Sequence, residues 1–237
     1  MSQLTNDLPL LLFTGMDADE RLFEGQIEAF ANVIAPRWIA HQPGESIRDY
    51  SRRMVEHVGL EGPCFVGGAS FGGVVAQEAA QFLDARAIFL IGTIKHSNEL
   101  PPLMRIWRFM AHLPPGLTRR LMAMSAVMAR PFVPRQTARR MRKVAAPEST
   151  FLRWASMAML HWRPPARDPA VPIFHIHGDA DGTLPVKYTK PDVIVAGADH
   201  IISYRRAEAV NVFLREKMDA VLRGGAQDAG GMLRCHV

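Results

Sequence analysis

The chain has 237 residues and a net charge of +5, with 48% hydrophobic and 22% charged residues. This length suits one large domain or two small ones, and the composition is ordinary for a globular protein. Two cysteines, Cys64 and Cys235, exclude a disulfide scaffold and a four-cysteine zinc site. No apolar run reaches the roughly 18 residues that a membrane span needs. No basic region precedes the first apolar run, so we expect no signal peptide and a cytoplasmic location.

Strands and helices alternate along the first part of the chain. Short apolar runs predict strands, and amphipathic stretches between them predict helices. Pro36 weakens the second strand because proline has no N–H to donate to a ladder, and Ser46 is a candidate N-cap. The predicted strands are 8–13, 32–40, 64–68 and 87–91, and the predicted helices are 18–31, 46–58 and 71–83.

The alternation stops at 95–167, where the pattern is helical with proline breaks. It resumes with predicted strands at 171–177 and 193–196 and a helix at 207–222. Such alternation indicates an α/β fold, with a mostly parallel sheet of about six strands flanked by helices. We therefore divide the chain into a core (1–94 and 168–223), a helical insert (95–167) and a glycine-rich tail (224–237) that we expect to be flexible.

The insert carries most of the positive charge. It holds 14 of the 28 basic residues but two of the 23 acidic ones, a net charge of +12. The simplest interpretation is that arginines solvate the outer faces of amphipathic helices. We expect no nucleic-acid partner, because no helix-turn-helix, zinc-finger or RNA-binding motif accompanies the charge.

The strongest local motif is Gly68-Ala69-Ser70-Phe71-Gly72, which lies between a predicted strand and a predicted helix. It fits G-x-S-x-G, a sharp turn that lifts a serine hydroxyl clear of the sheet. Side chains at 68 and 72 would collide across such a turn. The Phe71 N–H would lie at a helix N-terminus, where negative charge is favoured. The motif predicts Ser70 as a nucleophile.

A serine hydroxyl needs a general base, and the base needs a carboxylate to orient it. Among the nine histidines, His200 follows a strand end, where parallel sheets bind ligands. Asp181 lies in the loop after the preceding strand, with Asp179 as the alternative. The sequence therefore predicts Ser70, Asp181 and His200 as a catalytic triad, in that chain order.

These motifs resemble the α/β-hydrolase superfamily: TGMDADERLF, VGGASFGG and HGDADGTLP with GADH. The resemblance implies Ser70 as nucleophile, Asp181 as acid and His200 as base. It implies oxyanion-hole N–H groups at Phe71 and at Met16, which follows Thr14-Gly15 where the family has a His-Gly pair. It also implies a cap or lid at 95–167. Few residues precede the first strand, so we expect a shortened version of the fold.

The predicted activity is hydrolysis of a carboxylic ester or thioester with a small to medium acyl group, without a cofactor or metal. His175-Ile176-His177-Gly178-Asp179 begins like a binuclear metal motif, but Ala180 stands where a histidine is needed. The basic insert suggests an anionic acyl carrier as a possible partner. An acyltransferase, a C–C bond hydrolase and a non-catalytic small-molecule receptor remain open as alternatives.

Overall fold

The computed structural model describes residues 8–106, 116–117, 120, 124, 150–166, 168 and 170–231. Its centre is a six-stranded parallel sheet with the strand order β2-β1-β3-β4-β5-β6. The predicted α/β class and strand number are confirmed. The strands are β1 (Leu10–Phe13), β2 (Val33–Ile34), β3 (Pro63–Ala69), β4 (Asp84–Ile91), β5 (Ile173–Gly178) and β6 (Val193–Val195).

The described helices are α1 (Glu24–Ala29), α2 (Ile47–Val58), α3 (Phe71–Ala79), α4 (Pro102–Ile106), α5 (Thr150–His161), α6 (Ile202–Arg205) and α7 (Ala207–Gly231). Side chains of α2, α3 and α5 pack in one apolar cluster, and side chains of α6 and α7 pack in a second. The strands contribute to both clusters. Helices therefore cover both faces of the sheet, as a parallel sheet requires.

Strand β1 shows how the sheet separates the two clusters. All four of its side chains are buried. Leu11 and Phe13 pack in the cluster with α2 and α3, while Leu10 and Leu12 pack in the cluster with α7. Successive side chains of a strand point to opposite faces, so an uninterrupted apolar run is needed to fill both layers.

Local signals set several element boundaries. Ser46 caps α2, because its Oγ accepts a hydrogen bond from the Asp49 N–H at 3.1 Å, and Gly59 ends that helix in the left-handed conformation. Strand β2 has only two residues and ends before Pro36, which agrees with the weakness that proline predicts. The helix predicted at 18–31 is shorter, a 3-10 turn (Glu20–Phe23) followed by α1.

Most of the predicted insert lies outside the described residues, so its helical stripes and its role as a lid stay predictions. Its described parts include α4 and α5. At the other end, α7 continues to Gly231, beyond the predicted end at 222. Within the part of the chain that the structure describes, no helix combines the length and apolarity needed to cross a membrane.

Candidate active site

The predicted site residues all follow the carboxyl ends of strands. Ser70 follows β3 directly, and Gly15 and Met16 lie just after β1. Asp181 lies in the loop after β5, and His200 lies in the loop after β6. Strand β1 has β2 on one side and β3 on the other, and this reversal of strand order opens a crevice at the carboxyl edge of a parallel sheet.

Ser70 lies in a sharp turn between β3 and α3. Its φ of 54° and ψ of −121° make it the one non-glycine residue with positive φ among the described residues. A Cβ on Gly68 would collide with the backbone of Gly72, and a Cβ on Gly72 would collide with the carbonyl of Phe13. Both glycines are therefore required by close backbone approach, as the motif predicted. Strained backbone of this kind is typical of functional sites.

Hydrogen bonds to neighbouring elements hold the strained residue. The Ser70 N–H donates to the carbonyl of Ile91 at 3.1 Å, and the Gly73 N–H donates to the carbonyl of Ser70 at 3.1 Å. The hydroxyl of Thr93 also donates to the Ser70 carbonyl in a short hydrogen bond. Thr93 carries no motif and is 23 positions away along the chain, so sequence reasoning missed it.

Ser70, His200 and Asp181 form a continuous chain of hydrogen bonds. His200 Nε2 lies 3.0 Å from Ser70 Oγ, and His200 Nδ1 lies 2.7 Å from Asp181 Oδ2. A carboxylate can only accept, so Nδ1 carries the proton and Nε2 accepts from the serine hydroxyl. The Ser70 residue is 6% exposed and the Asp181 residue 3%. The structure thus brings together the three side chains that the sequence singled out.

Asp181 is surrounded by donors. Its Oδ1 accepts from the N–H groups of Thr183 at 2.7 Å and Leu184 at 2.8 Å, and Nε2 of His177 lies 3.3 Å from its Oδ2. Burial alone raises the pKa of Asp181, but the side chains of His177 and His200 outweigh it and hold the pKa well below its usual value. The carboxylate is therefore ionised at neutral pH.

Asp179, the alternative acid, does not take part in this chain. It is exposed, and its Oδ1 accepts a hydrogen bond from the Gly197 N–H at 2.7 Å. This bond ties the loop after β5 to the loop after β6. The structure therefore favours Asp181 over Asp179 as the partner of His200.

The loop after β1 lies against the serine. A Cβ on Gly15 would be 3.8 Å from the Cβ of Ser70. The Gly15 carbonyl accepts hydrogen bonds from Trp38 Nε1 and from the Ala18 N–H, each at 3.1 Å. No described residue accepts a hydrogen bond from the Met16 N–H. This N–H is therefore available to a ligand beside Ser70.

Helix α5 packs on the same loop. The hydroxyl of Ser156 contacts the Met16 sulfur at 3.3 Å. Phe151 packs near the ring of Trp38 with a centroid distance of 5.8 Å and meets Phe71 edge-on at 6.2 Å. These contacts support the loop and the residue after Ser70 from one side. The sequence pattern did not predict that α5 supports this loop, because the contacts join residues that are far apart along the chain.

The comparisons with known proteins agree with this architecture. The Alpha/beta hydrolase family matches residues 12–224, so the chain belongs to that family. It is similar in structure to a thermophilic esterase from Thermogutta terrifontis, with 21% identity over 90% of both chains and a TM-score of 0.58.

Two other solved structures extend the comparison. A carboxylesterase from Nitrososphaera gargenis has 19% identity over 93% of both chains and a TM-score of 0.58. A meta-cleavage product hydrolase from Pseudomonas fluorescens IP01 has 16% identity over 90% of this chain and 91% of its own, with a TM-score of 0.56. At these identities the likeness concerns the fold. No curated protein matches the sequence.

The described residues contain no group of three or more histidine, cysteine or acidic side chains arranged to hold a metal ion. His175 and His177 do lie side by side, with His175 Nε2 3.1 Å from His177 Nδ1. Their partners are each other, Leu184 and Asp181. The pair that looked like the start of a metal motif is thus part of the surroundings of Asp181.

Proposed function

We propose that this protein is a serine hydrolase that cleaves a carboxylic ester through an acyl-enzyme, with Ser70 as nucleophile, His200 as base and Asp181 as acid. The observation that carries the proposal is the unbroken hydrogen-bond path from Asp181 through His200 to Ser70, 2.7 Å and 3.0 Å long at its two steps. Family membership supports hydrolase chemistry, and the esterase structures with this fold favour an ester.

In the first half of the reaction, Ser70 Oγ attacks the ester carbonyl while His200 Nε2 removes its proton. The new imidazolium is stabilised by ionised Asp181, which also keeps Nδ1 protonated. Collapse of the tetrahedral intermediate breaks the C–O bond to the alcohol. His200 returns its proton to the departing alkoxide, leaving the acyl group on Ser70.

Backbone N–H groups stabilise the negative charge that develops on the carbonyl oxygen. The Phe71 N–H is at the first residue of α3 and has no acceptor within its own helix. The Met16 N–H is the proposed second donor. Together they form an oxyanion hole, in which one donor typically contributes about 100- to 1,000-fold to the rate.

In the second half, His200 Nε2 removes a proton from water, and the resulting hydroxide attacks the acyl carbonyl. The bond to Ser70 Oγ then breaks, the serine recovers its proton from His200, and the acid leaves. No step requires a cofactor or metal. The preference for a small to medium acyl group and the anionic carrier at 95–167 stay predictions, because most of that segment lies outside the described residues.

The test is hydrolysis of p-nitrophenyl esters from acetate to palmitate by the wild type and Ser70→Ala. We expect a maximum at one chain length and a loss of about 10⁶-fold in kcat in the variant. Labelling by a fluorophosphonate, which reacts with activated serines whatever the substrate, tests the triad separately. A Ser70→Ala variant with full activity would contradict the proposal.

The alternatives predict other results. Labelling of Ser70 without ester hydrolysis would move the assignment to thioesters or to C–C bond hydrolysis. Formation of a new ester in the presence of an added alcohol would indicate an acyltransferase. Binding of a small molecule without turnover, unchanged by loss of His200, would indicate a receptor.

A further inference from the structure

Two histidines lie buried beneath the proposed triad. His175 and His177 are both on β5 and are both 0% exposed. They face the same side of the strand, since they are two residues apart, and their rings meet edge-on with centroids 5.2 Å apart. The proposed mechanism uses neither of them.

The hydrogen-bond partners assign the proton on His177. Its Nε2 lies 2.7 Å from the carbonyl oxygen of Leu184. A carbonyl can only accept a hydrogen bond, so Nε2 carries the proton and donates it. The same Nε2 lies 3.3 Å from Asp181 Oδ2, the oxygen that also accepts from His200. One N–H therefore faces both the loop carbonyl and the carboxylate.

Leu184 connects His177 to the other oxygen of Asp181. Its N–H donates to Asp181 Oδ1 at 2.8 Å, while its carbonyl accepts from His177. The loop that surrounds the carboxylate is thus attached to β5 by the His177 side chain. Without that bond, the buried Leu184 carbonyl would lose its hydrogen-bond donor, and a buried unsatisfied polar group is costly.

We propose that His177 is a positioning residue for the active site: it holds Asp181 Oδ2 and the loop 181–184 in the orientation that His200 requires. The inference rests on the proposed function, because Asp181 matters to the rate only if His200 is the base. His177 does not touch substrate. It acts through Leu184 and Asp181.

His175 contacts the other ring nitrogen of His177, Nδ1. Its pKa is lowered to about 3 by burial, by His177 and by Lys95, so the ring is neutral at pH 7. Its Nε2 lies 3.1 Å from Nδ1 of His177. A proton on His175 Nε2 can donate to this Nδ1, which matches the assignment of the His177 proton to Nε2. Nδ1 of His175 is buried and has no partner among the described residues. An unpaired acceptor at this position is consistent with that tautomer.

The test compares two amides that differ in reach. In His177→Gln the amide nitrogen is separated from Cβ by the same number of bonds as Nε2 of the histidine. It can therefore still donate to the Leu184 carbonyl. In His177→Asn the amide ends near the position of Nδ1, so it can accept from His175 but cannot reach Leu184 or Asp181. We expect about a 10-fold lower kcat with unchanged KM in His177→Asn, and near wild-type kcat in His177→Gln.

The second readout is the rate at which a fluorophosphonate labels Ser70, which should fall about 10-fold in His177→Asn alone. Asn211→Leu is the matched control. It removes two hydrogen bonds between α7 and α1, from Gln26 Nε2 to Asn211 Oδ1 at 2.8 Å and from Asn211 Nδ2 to the Gly25 carbonyl at 3.0 Å, and neither bond involves a residue of the proposed triad. Melting temperatures of all variants report the structural cost. Should His177→Asn not fold, His177→Met replaces it as a side chain of similar size without a donor.

The outcomes separate the two proposals. Equal losses in the Gln and Asn variants, or an equal loss in Asn211→Leu, would overturn the role of His177 while the triad stands. A lower melting temperature in His177→Asn with unchanged kcat would do the same. A wild-type protein that is neither labelled at Ser70 nor active on esters would overturn the proposed function itself.

Discussion

At the scale of the residue, Ser70 combines strained backbone with a hydrogen bond to His200. A residue held at φ 54° and ψ −121° costs about 1–3 kcal/mol relative to ordinary backbone. Its neighbours keep it there: Ile91, Gly73 and Thr93 bond to its main chain. In this conformation Oγ lies 3.0 Å from His200 Nε2, which is the contact that the proposed mechanism requires.

Asp181→Asn should lower kcat by about 10⁴-fold. The amide would offer an N–H to His200 Nδ1, so the proton would move to Nε2, which could then no longer accept from Ser70. Asp179→Asn is the matched control, because Asp179 bonds to the Gly197 backbone and an amide oxygen can accept the same bond. Ester hydrolysis by both variants measures the difference, and a larger loss in Asp179→Asn would contradict the assignment of the acid.

At the scale of the element, the turn from β3 to α3 depends on the absence of side chains. The backbone of Gly72 lies against the carbonyls of Phe13 and Thr14 at the end of β1. Strands β1 and β3 pair in parallel, and their last paired residues are Phe13 and Gly68. The close approach of β1 to α3 therefore fixes where Ser70 emerges from the sheet.

Gly72→Ala should lower the free energy of unfolding by about 3 kcal/mol, because the added methyl group collides with backbone that cannot move aside. Gly224→Ala is the matched control. Gly224 is exposed on α7 with open space around its Cβ position, so the same substitution should stabilise by about 1 kcal/mol. Denaturant unfolding of both variants tests the opposite signs, and equal effects would contradict the steric argument.

At the scale of the whole molecule, a buried carboxylate joins the core to the segment that follows α5. Glu78 on α3 is 4% exposed. Its Oε1 accepts from Trp162 Nε1 at 2.7 Å and its Oε2 from Gln81 Nε2 at 2.8 Å. Burial raises the pKa of Glu78, and the two donors only partly oppose that increase. Global stability is therefore linked to the protonation of this group.

The pH dependence follows from the direction of that shift. Because the pKa of Glu78 is higher in the folded protein than its ordinary 4.5, its contribution to stability is fully present below about pH 4.5. The contribution is lost as the pH rises through the folded-state pKa. Glu78→Gln should therefore gain stability relative to the wild type as the pH increases from about 4.5 to neutral.

Unfolding by denaturant at several pH values measures this difference. Trp162→Phe should have the opposite effect on the pH dependence of stability, because it removes a donor that favours the charged form of Glu78. Its stability should fall more steeply with pH than that of the wild type. A Glu78→Gln variant whose stability stays parallel to the wild type at every pH would contradict the linkage.

Much of the fold and part of the site followed from local sequence signals. Six apolar runs predicted six strands, and G-x-S-x-G between a strand and a helix predicted the turn at Ser70. These signals are local, so they do not depend on how distant parts of the chain fold. The extents of β2, α1 and α7 were not predicted correctly, because sheet pairing, proline and packing at their ends decide where such elements stop.

The sequence by itself determined the class of fold, the order Ser70, Asp181 and His200 along the chain, and the glycines that the turn requires. Only the tertiary structure decided that Asp181 and not Asp179 bonds to His200, that Thr93 holds the Ser70 carbonyl, and that His177 reaches Leu184. The physical reason is distance along the chain. His200 and Ser70 are 130 positions apart, and only the parallel register of the strands brings their loops to one edge of the sheet.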